Sequence, residues 1–427
     1  MAETVKLTAD LPEGFKMTEL GPLPNDWLIG KLGDFANIRY GRGKPSKSGR
    51  IPVVGSGGVY SWTDEPLVSY PTLVIGRKGT AGMVWYIEEA CWPSDTTFFL
   101  EWKNNSIDVR YLFYRLMYRP LSGEHTKTTL PSLTRHDVEN YLVPIPPLVE
   151  QRAIANMLHV IEVTKRATET VIAAARELKK SLMRHLFTYG PVPVEEAERV
   201  PLKETEVGLV PEHWRIVRVG EIASVRSGIS FPPEYQGESK GDYPFFKVSD
   251  MNIAGNETYM CIAHNYISEE VRQVLGAKLF PASTIVFPKV GGAIHTNKKR
   301  MLQQASLIDN NIMGVTVTNS KMCIPGYLFC WLQTVNLSDL CNPGPLPSIT
   351  AARIKNVSFP LAPLAEQYEI CHLLAAVDRK IEAEETRMQA LDALFNTLLH
   401  LLMTGRIRVE DIPLPEGGVV VAGASRE

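Results

Sequence analysis

With 427 residues, 44% of them hydrophobic and 22% charged, the chain has the composition of globular protein with room for two or three domains, and extended disorder is excluded except at the ends. A net charge of −2 neither demands nor excludes nucleic acid, so the local distribution of basic side chains has to decide. Six scattered cysteines, with no CxxC pair and no histidine at ligand spacing, argue against a metal site or a disulfide framework and suit a reduced cytoplasm, and without an apolar run of about 18 residues neither export nor a membrane span is expected.

In chain order, the first 17 residues carry little signal. Thr18-Glu-Leu-Gly21, Pro24-Asn-Asp-Trp27, Gly33 and Gly41 then recur as Thr205-Glu-Val-Gly208, Pro211-Glu-His-Trp214, Gly220 and Gly228, all at an offset of 187 residues. Tyr111-Leu-Phe and Leu130-Pro-Ser-Leu-Thr recur as Tyr327-Leu-Phe and Leu346-Pro-Ser-Ile-Thr at an offset of 216. The chain is therefore an internal duplication whose second copy is 29 residues longer, mostly between Gly228 and Thr284. Its period is too long for a solenoid repeat, so each copy is a domain.

Short β-rich runs bounded by Gly and Pro predict strands at 51–54, 72–75 and 97–100 in the first copy and at 284–287 and 314–317 in the second. Helices are expected at 109–118 and 325–333. Each globular part reads as mixed α/β, its terminal strand leading into a long helix.

Those helices are expected from Glu150-Gln151 to Thr188 and from Glu366-Gln367 to Thr404, each after a proline-rich lead-in that keeps the entry extended, with a glutamate at the positive end of the helix dipole. Apolar residues fall at alternating steps of four and three: Ile154, Leu158, Ile161, Ile172, Leu182 and Leu186 in the first, with Ala175 in register and Lys165, Thr168 and Lys179 as polar interruptions. The second gives Ile370, Leu374, Val377, Ile381, Met388, Leu391, Phe395, Leu398 and Leu402, interrupted by Glu384. Such a seam wants a partner helix, and the obvious partner lies in the same chain. At 1.5 Å per residue each helix spans about 58 Å, the length of a spacer rather than a core element. The expected segments are 18–143, spacer helix 144–190, 205–359, spacer helix 360–406 and a tail, 407–427.

Catalytic constellations are mostly decoys. Gly41-Arg-Gly-Lys44 lacks the earlier glycine of a phosphate loop, and Gly55-Ser-Gly-Gly58 does not complete a dinucleotide fingerprint. Asp95, Glu101 and Lys103 imitate the acidic pair and lysine of a metal-dependent nuclease, but the second copy has no equivalent triple, so no catalytic residue is assigned. Basic and hydroxyl-rich loops, by contrast, recur at related places. The first copy offers Arg39, Tyr40, Arg42, Lys44 and Lys47, then Arg77 and Lys78, then Lys127, Ser132 and Arg135. The second offers Arg226, Lys289, Lys298, Lys299, Arg300, Ser348 and Arg353. Cations and glycines in one loop suit a nucleic-acid backbone, and arginine also suits guanine edges.

The Pro-x-x-Trp openings, the Leu-Pro-Ser-Leu/Ile-Thr loops and Pro-x-x-Pro-Leu-x-Glu-Gln before each long helix (Pro144 to Gln151, Pro360 to Gln367) together resemble the specificity subunit of type I restriction-modification enzymes, over about Thr18 to Arg406. The resemblance implies two target recognition domains and an antiparallel coiled coil of the two helices in a pseudo-twofold scaffold that holds the domains at a fixed separation. It implies a non-catalytic chain that reads a bipartite site in double-stranded DNA and docks two methyltransferase subunits, with restriction and translocase subunits outside. S-adenosylmethionine, ATP and Mg²⁺ would then belong to the partner subunits, and none to this chain. Unequal domains on helices of equal length further predict an asymmetric site. The alternatives are a stand-alone DNA-binding protein of the same architecture, and the nuclease of Asp95, Glu101 and Lys103.

Overall fold

The computed structural model describes residues 11–45, 48–121, 132–342 and 346–412. It divides into two compact units, residues 1–170 with 386–427 and residues 171–385, so each long helix is shared between them.

In the first unit a hairpin of Phe15–Thr18 and Gly21–Pro24 precedes the strand Leu28–Lys31, which pairs antiparallel with Leu142–Ile145. That pairing joins the two ends of the globular part. Between them lie a four-stranded sheet, in the order Ala36–Tyr40, Thr97–Trp102, Thr72–Gly76, Val84–Ile87, and a three-stranded sheet, in the order Gly58–Thr63, Ile51–Gly55, Trp92–Pro93. The helix Val109–Tyr118 is capped by Asp108, whose carboxylate accepts from the Tyr111 amide at 2.9 Å.

The second unit repeats this plan. Arg215–Arg218 pairs with Ser358–Leu361, and the large sheet runs Ala223–Ser227, Ile312–Val317, Ile285–Pro288, Arg300–Leu302 and then one additional strand, Tyr259–Met260. The strand and the neighbouring helix Glu269–Val274 lie in the longer segment after Gly228. Both globular parts are mixed α/β, and their terminal strands lead into the long helices.

The long helices are Leu148–Tyr189 and Leu364–Met403. Each begins two residues before its expected start because the carbonyl of the preceding proline accepts the first helical hydrogen bond: Gln151 N donates to Pro147 O and Gln367 N to Pro363 O, each at 3.0 Å. Each ends at a left-handed glycine, Gly190 (φ 81°) and Gly405 (φ 66°). A side chain at Gly405 would strike Pro24, so this cap also seats the helix end against the Pro-x-x-Trp motif.

Within each unit the helix segments pair antiparallel. In the first, Glu150 meets Arg408 and Lys165 meets Asp392, while Ile154, Leu158 and Ile161 share a core with Phe395, Leu399 and Leu402. In the second, Lys179 pairs with Asp378 and Arg176 with Glu385, and Leu186 and Phe187 share a core with Ile370 and Leu374. Every residue of the expected apolar seam, from Ile154 to Leu186 and from Ile370 to Leu402, is buried or half-buried. Of the polar interruptions, Lys165 and Lys179 reach aspartates of the facing helix, Thr168 donates back to Thr164 O, and Glu384 pairs with Lys380 one turn earlier.

The Glu-Gln motif ties helix to globe identically in both units. Gln151 is fully buried; its Oε1 accepts from Asp108 N at 2.8 Å and its Nε2 donates to Ser106 O and Pro146 O. Gln367, also fully buried, does the same with Ile324 N, Met322 O and Ala362 O. The glutamates receive the indole N–H of Trp27 (3.1 Å, Glu150) and of Trp214 (2.8 Å, Glu366). Replacing either glutamine by leucine leaves three backbone groups without their partner, one of them in a fully buried bond, so Gln151→Leu and Gln367→Leu should each lower the unfolding free energy by about 1–3 kcal/mol in urea titration, against about 0.5 or less for Arg152→Ala on the exposed face.

Candidate nucleic-acid interface

The first unit assembles its loops around a turn at Ser94–Thr97. Thr97 N and Oγ1 both donate to Ser94 O, at 3.0 and 2.7 Å, and the Ser94 and Thr96 hydroxyls bond at 2.8 Å. The basic loop after Tyr40 is stitched to this turn by Gly41 N to Thr97 O and Arg42 N to Pro93 O. The next loop joins through Arg77 N and Lys78 N to Thr96 O, and the third through the Lys78–Ser132 bridge. Three loops far apart in sequence thus form one surface.

A Cβ at Gly41 would lie 2.0 Å from Ser94 O, and one at Gly228 would lie 2.0 Å from Ile308 O, so only glycine permits this junction in either unit. In the second unit the turn is Asp309–Ile312: Gly228 N donates to Ile312 O, Lys289 N to Asn311 O, and Val290 bridges Ser348.

The predicted residues fare unequally. Arg42, Lys44 and Lys78 are exposed with no ion-pair partner among the described residues. Arg77 sits over the Tyr40 ring (5.2 Å) and donates to Asp95 O, so it builds the surface as well as charging it. Arg39 is engaged by Glu101 at 2.7 Å and Arg135 by Glu139 at 2.6 Å, and Ser132 is exposed. Lys47 and Lys127 lie outside the described residues.

In the second unit several candidates have structural duties instead. Lys299 is 1% exposed, with its ammonium on Asn297 O, Asn297 Oδ1 and Val335 O; burial lowers its pKa to about 8, and it is withdrawn as a phosphate ligand. Arg226 donates to Lys278 O and Leu279 O with its guanidinium 3.5 Å over Phe280, and Arg300 donates to Lys299 O, so both face inward. Lys289 donates to Ser227 Oγ, Lys298 to Asn252, and Arg353, which is exposed, to Asp339 O at 3.5 Å; Ser348 is half-buried.

The nuclease triple does not assemble. Glu101 takes Arg39 and Asn37, Lys103 donates to Gly33 O, and the extended strand Thr97–Trp102, at about 3.3 Å per residue, carries both away from the turn that holds Asp95. Among the described residues no group of three His, Cys, Asp or Glu side chains is placed to hold a metal ion, and no helix is long and apolar enough to cross a membrane. Composition alone did not reveal the turn that organises the surface, nor Tyr60 and Trp62, whose rings stand 56% and 54% exposed on one face of the strand Gly58–Thr63. Their i, i+2 spacing was the available signal.

A duplicated mixed α/β unit carrying long helices is also what comparison returns: the family described as "Type I restriction modification DNA specificity domain" matches residues 24–175 and 211–393. The chain belongs to this family. The type I restriction enzyme MjaVIII specificity subunit of Methanocaldococcus jannaschii is 25% identical, covering 94% of this chain and 97% of its own; the MjaIX subunit of the same organism is 23% identical over 93% and 97%. In fold, the chain is similar to the type I restriction-modification S subunit from M. genitalium (TM-score 0.62, 15% identity, 88% of this chain and 96% of that one). It is likewise similar to a chain from a structure of type I complex assembly and conformational transition (TM-score 0.52, 18% identity, 90% and 99%). For this family member the buried lysine sets a pH dependence. Because Lys299 binds its proton less readily folded than unfolded, its cost is full below pH 8 and is relieved as pH rises toward 10.5, so the native chain should gain up to about 3 kcal/mol relative to Lys299→Met over that interval in paired denaturation curves.

Proposed function

We propose that this chain is the DNA-reading, non-catalytic subunit of a type I restriction-modification complex. Each unit reads one half of an asymmetric bipartite site in double-stranded DNA, the long helices dock two methyltransferase subunits, and restriction and translocase subunits complete the assembly. S-adenosylmethionine, ATP and Mg²⁺ serve those partners, in the cytoplasm. The observation that carries this reading is the loop cluster built twice, with the same backbone hydrogen bonds but different side chains, on two units that share a pair of 42- and 40-residue helices. Identical construction with different surface chemistry is what two non-equivalent half-sites require.

The test is co-expression with the modification subunits and mapping of methylated bases on a random DNA library. A split, asymmetric motif that appears only when this chain is present is expected, and exchanging residues 18–143 for those of a relative should alter one half alone. Methylation that does not depend on this chain sinks the proposal. In the assembled complex, Arg42→Ala, Lys44→Ala and Lys78→Ala should each weaken binding with little change in motif and flatten the dependence of log affinity on log salt by about one unit.

A further inference from the structure

One chemically conspicuous group is left over: Asp95, an exposed acid in the middle of the basic surface. Arg77 donates to its main-chain carbonyl, and among the described residues no donor engages its carboxylate. The turn on both sides is pinned by the Ser94, Thr96 and Thr97 hydrogen bonds, so the side chain is held from a rigid base. It lines an open depression of about 290 Å³ together with Ser94, Thr96, the Gly55–Gly58 turn and Tyr60. Glycines leave room for a flat ligand edge.

A carboxylate here opposes the approach of phosphates, and it becomes favourable only opposite a ligand group that donates a hydrogen bond. We propose that Asp95 is a specificity-determining residue that accepts a hydrogen bond from the N4 amino group of a cytosine in the half-site read by the first unit. This rests on the DNA-reading role proposed above. Cytosine is the only base whose own major-groove edge presents a donor and no acceptor. Adenine sets N7 beside its amino group, and guanine and thymine present acceptors, all of which repel a carboxylate.

The second unit supplies an internal comparison. Its turn places Asn310 where the first has Asp95, two residues before the strand and between the same pair of backbone hydrogen bonds. Asn310 is also exposed. Its carboxamide, whose Nδ2 donates weakly to Ser230 Oγ at 3.4 Å, offers both donor and acceptor and matches adenine N7 and N6, so under this proposal one backbone position carries different base preferences in the two units.

The experiment uses the full chain assembled with its modification subunits, with motifs mapped for wild type, Asp95→Ala and Asp95→Asn. Wild type should show one cytosine, preferred roughly 5- to 150-fold over other bases, in one half-site. Asp95→Ala should relax that position alone, and the isosteric Asp95→Asn should shift it toward adenine. The inference is overturned if both variants retain the wild-type motif, if the position that changes is not cytosine, or if methylation falls equally at all sequences without a change of motif. Absence of any chain-dependent motif in the wild-type complex is a separate result, which refutes the DNA-reading role itself.

Discussion

Two buried glutamine side chains hold the architecture together. A 42-residue helix gains little from its own propensity and must be fixed by its surroundings, yet its first turn carries unpaired amides next to a proline-rich segment whose carbonyls are also unpaired. Gln151 pairs one of those carbonyls, Pro146 O, and with the same planar group accepts from Asp108 N in the loop before the Val109–Tyr118 helix, which ties the helix start to the globe, and Gln367 repeats the solution. With the adjacent glutamate on the buried tryptophan, the direction in which the helix leaves the globe is determined by side-chain hydrogen bonds anchored on buried residues.

The globes follow a different economy. Their sheets and end-to-end strand pairs are closed by apolar cores, and the loops at the Ser94–Thr97 and Asp309–Ile312 turns are joined through the main chain. Because backbone bonds and two obligatory glycines define this surface, its side chains are free to differ. The first unit keeps exposed cations there, while the second holds Arg226 against its longer inserted segment and buries Lys299 on Asn297 and Val335.

Much of this was legible in the sequence. Strict seven-residue spacing located the seam, and proline and glycine bracketed the helices to within two residues, because these signals are local. The meaning of Glu-Gln was not, since its partners Trp27, Ser106 and Asp108 are more than 40 residues away. Charge was a poor guide to the surface: Lys298 and Lys299 are neighbours in sequence, but the second, just ahead of the strand Arg300–Leu302, is buried with its ammonium on Asn297 and Val335. Asp95 was grouped with Glu101 and Lys103 by proximity along the chain, whereas an extended strand carries them apart.

The division of the long helices also bears on how the protein is made. The second unit is one continuous segment, residues 171–385, so all of its parts have been synthesised before the chain is finished. The first unit is discontinuous: Ile154 and Leu158 bury themselves against Phe395, Leu399 and Leu402, and Glu150 waits for Arg408. The half of the protein that leaves the ribosome first is therefore completed last, with an apolar helix face uncovered through most of translation. A chain cut short before residue 386 loses the closure of its first unit, which makes the second long helix a built-in check that both copies of the duplication have been translated.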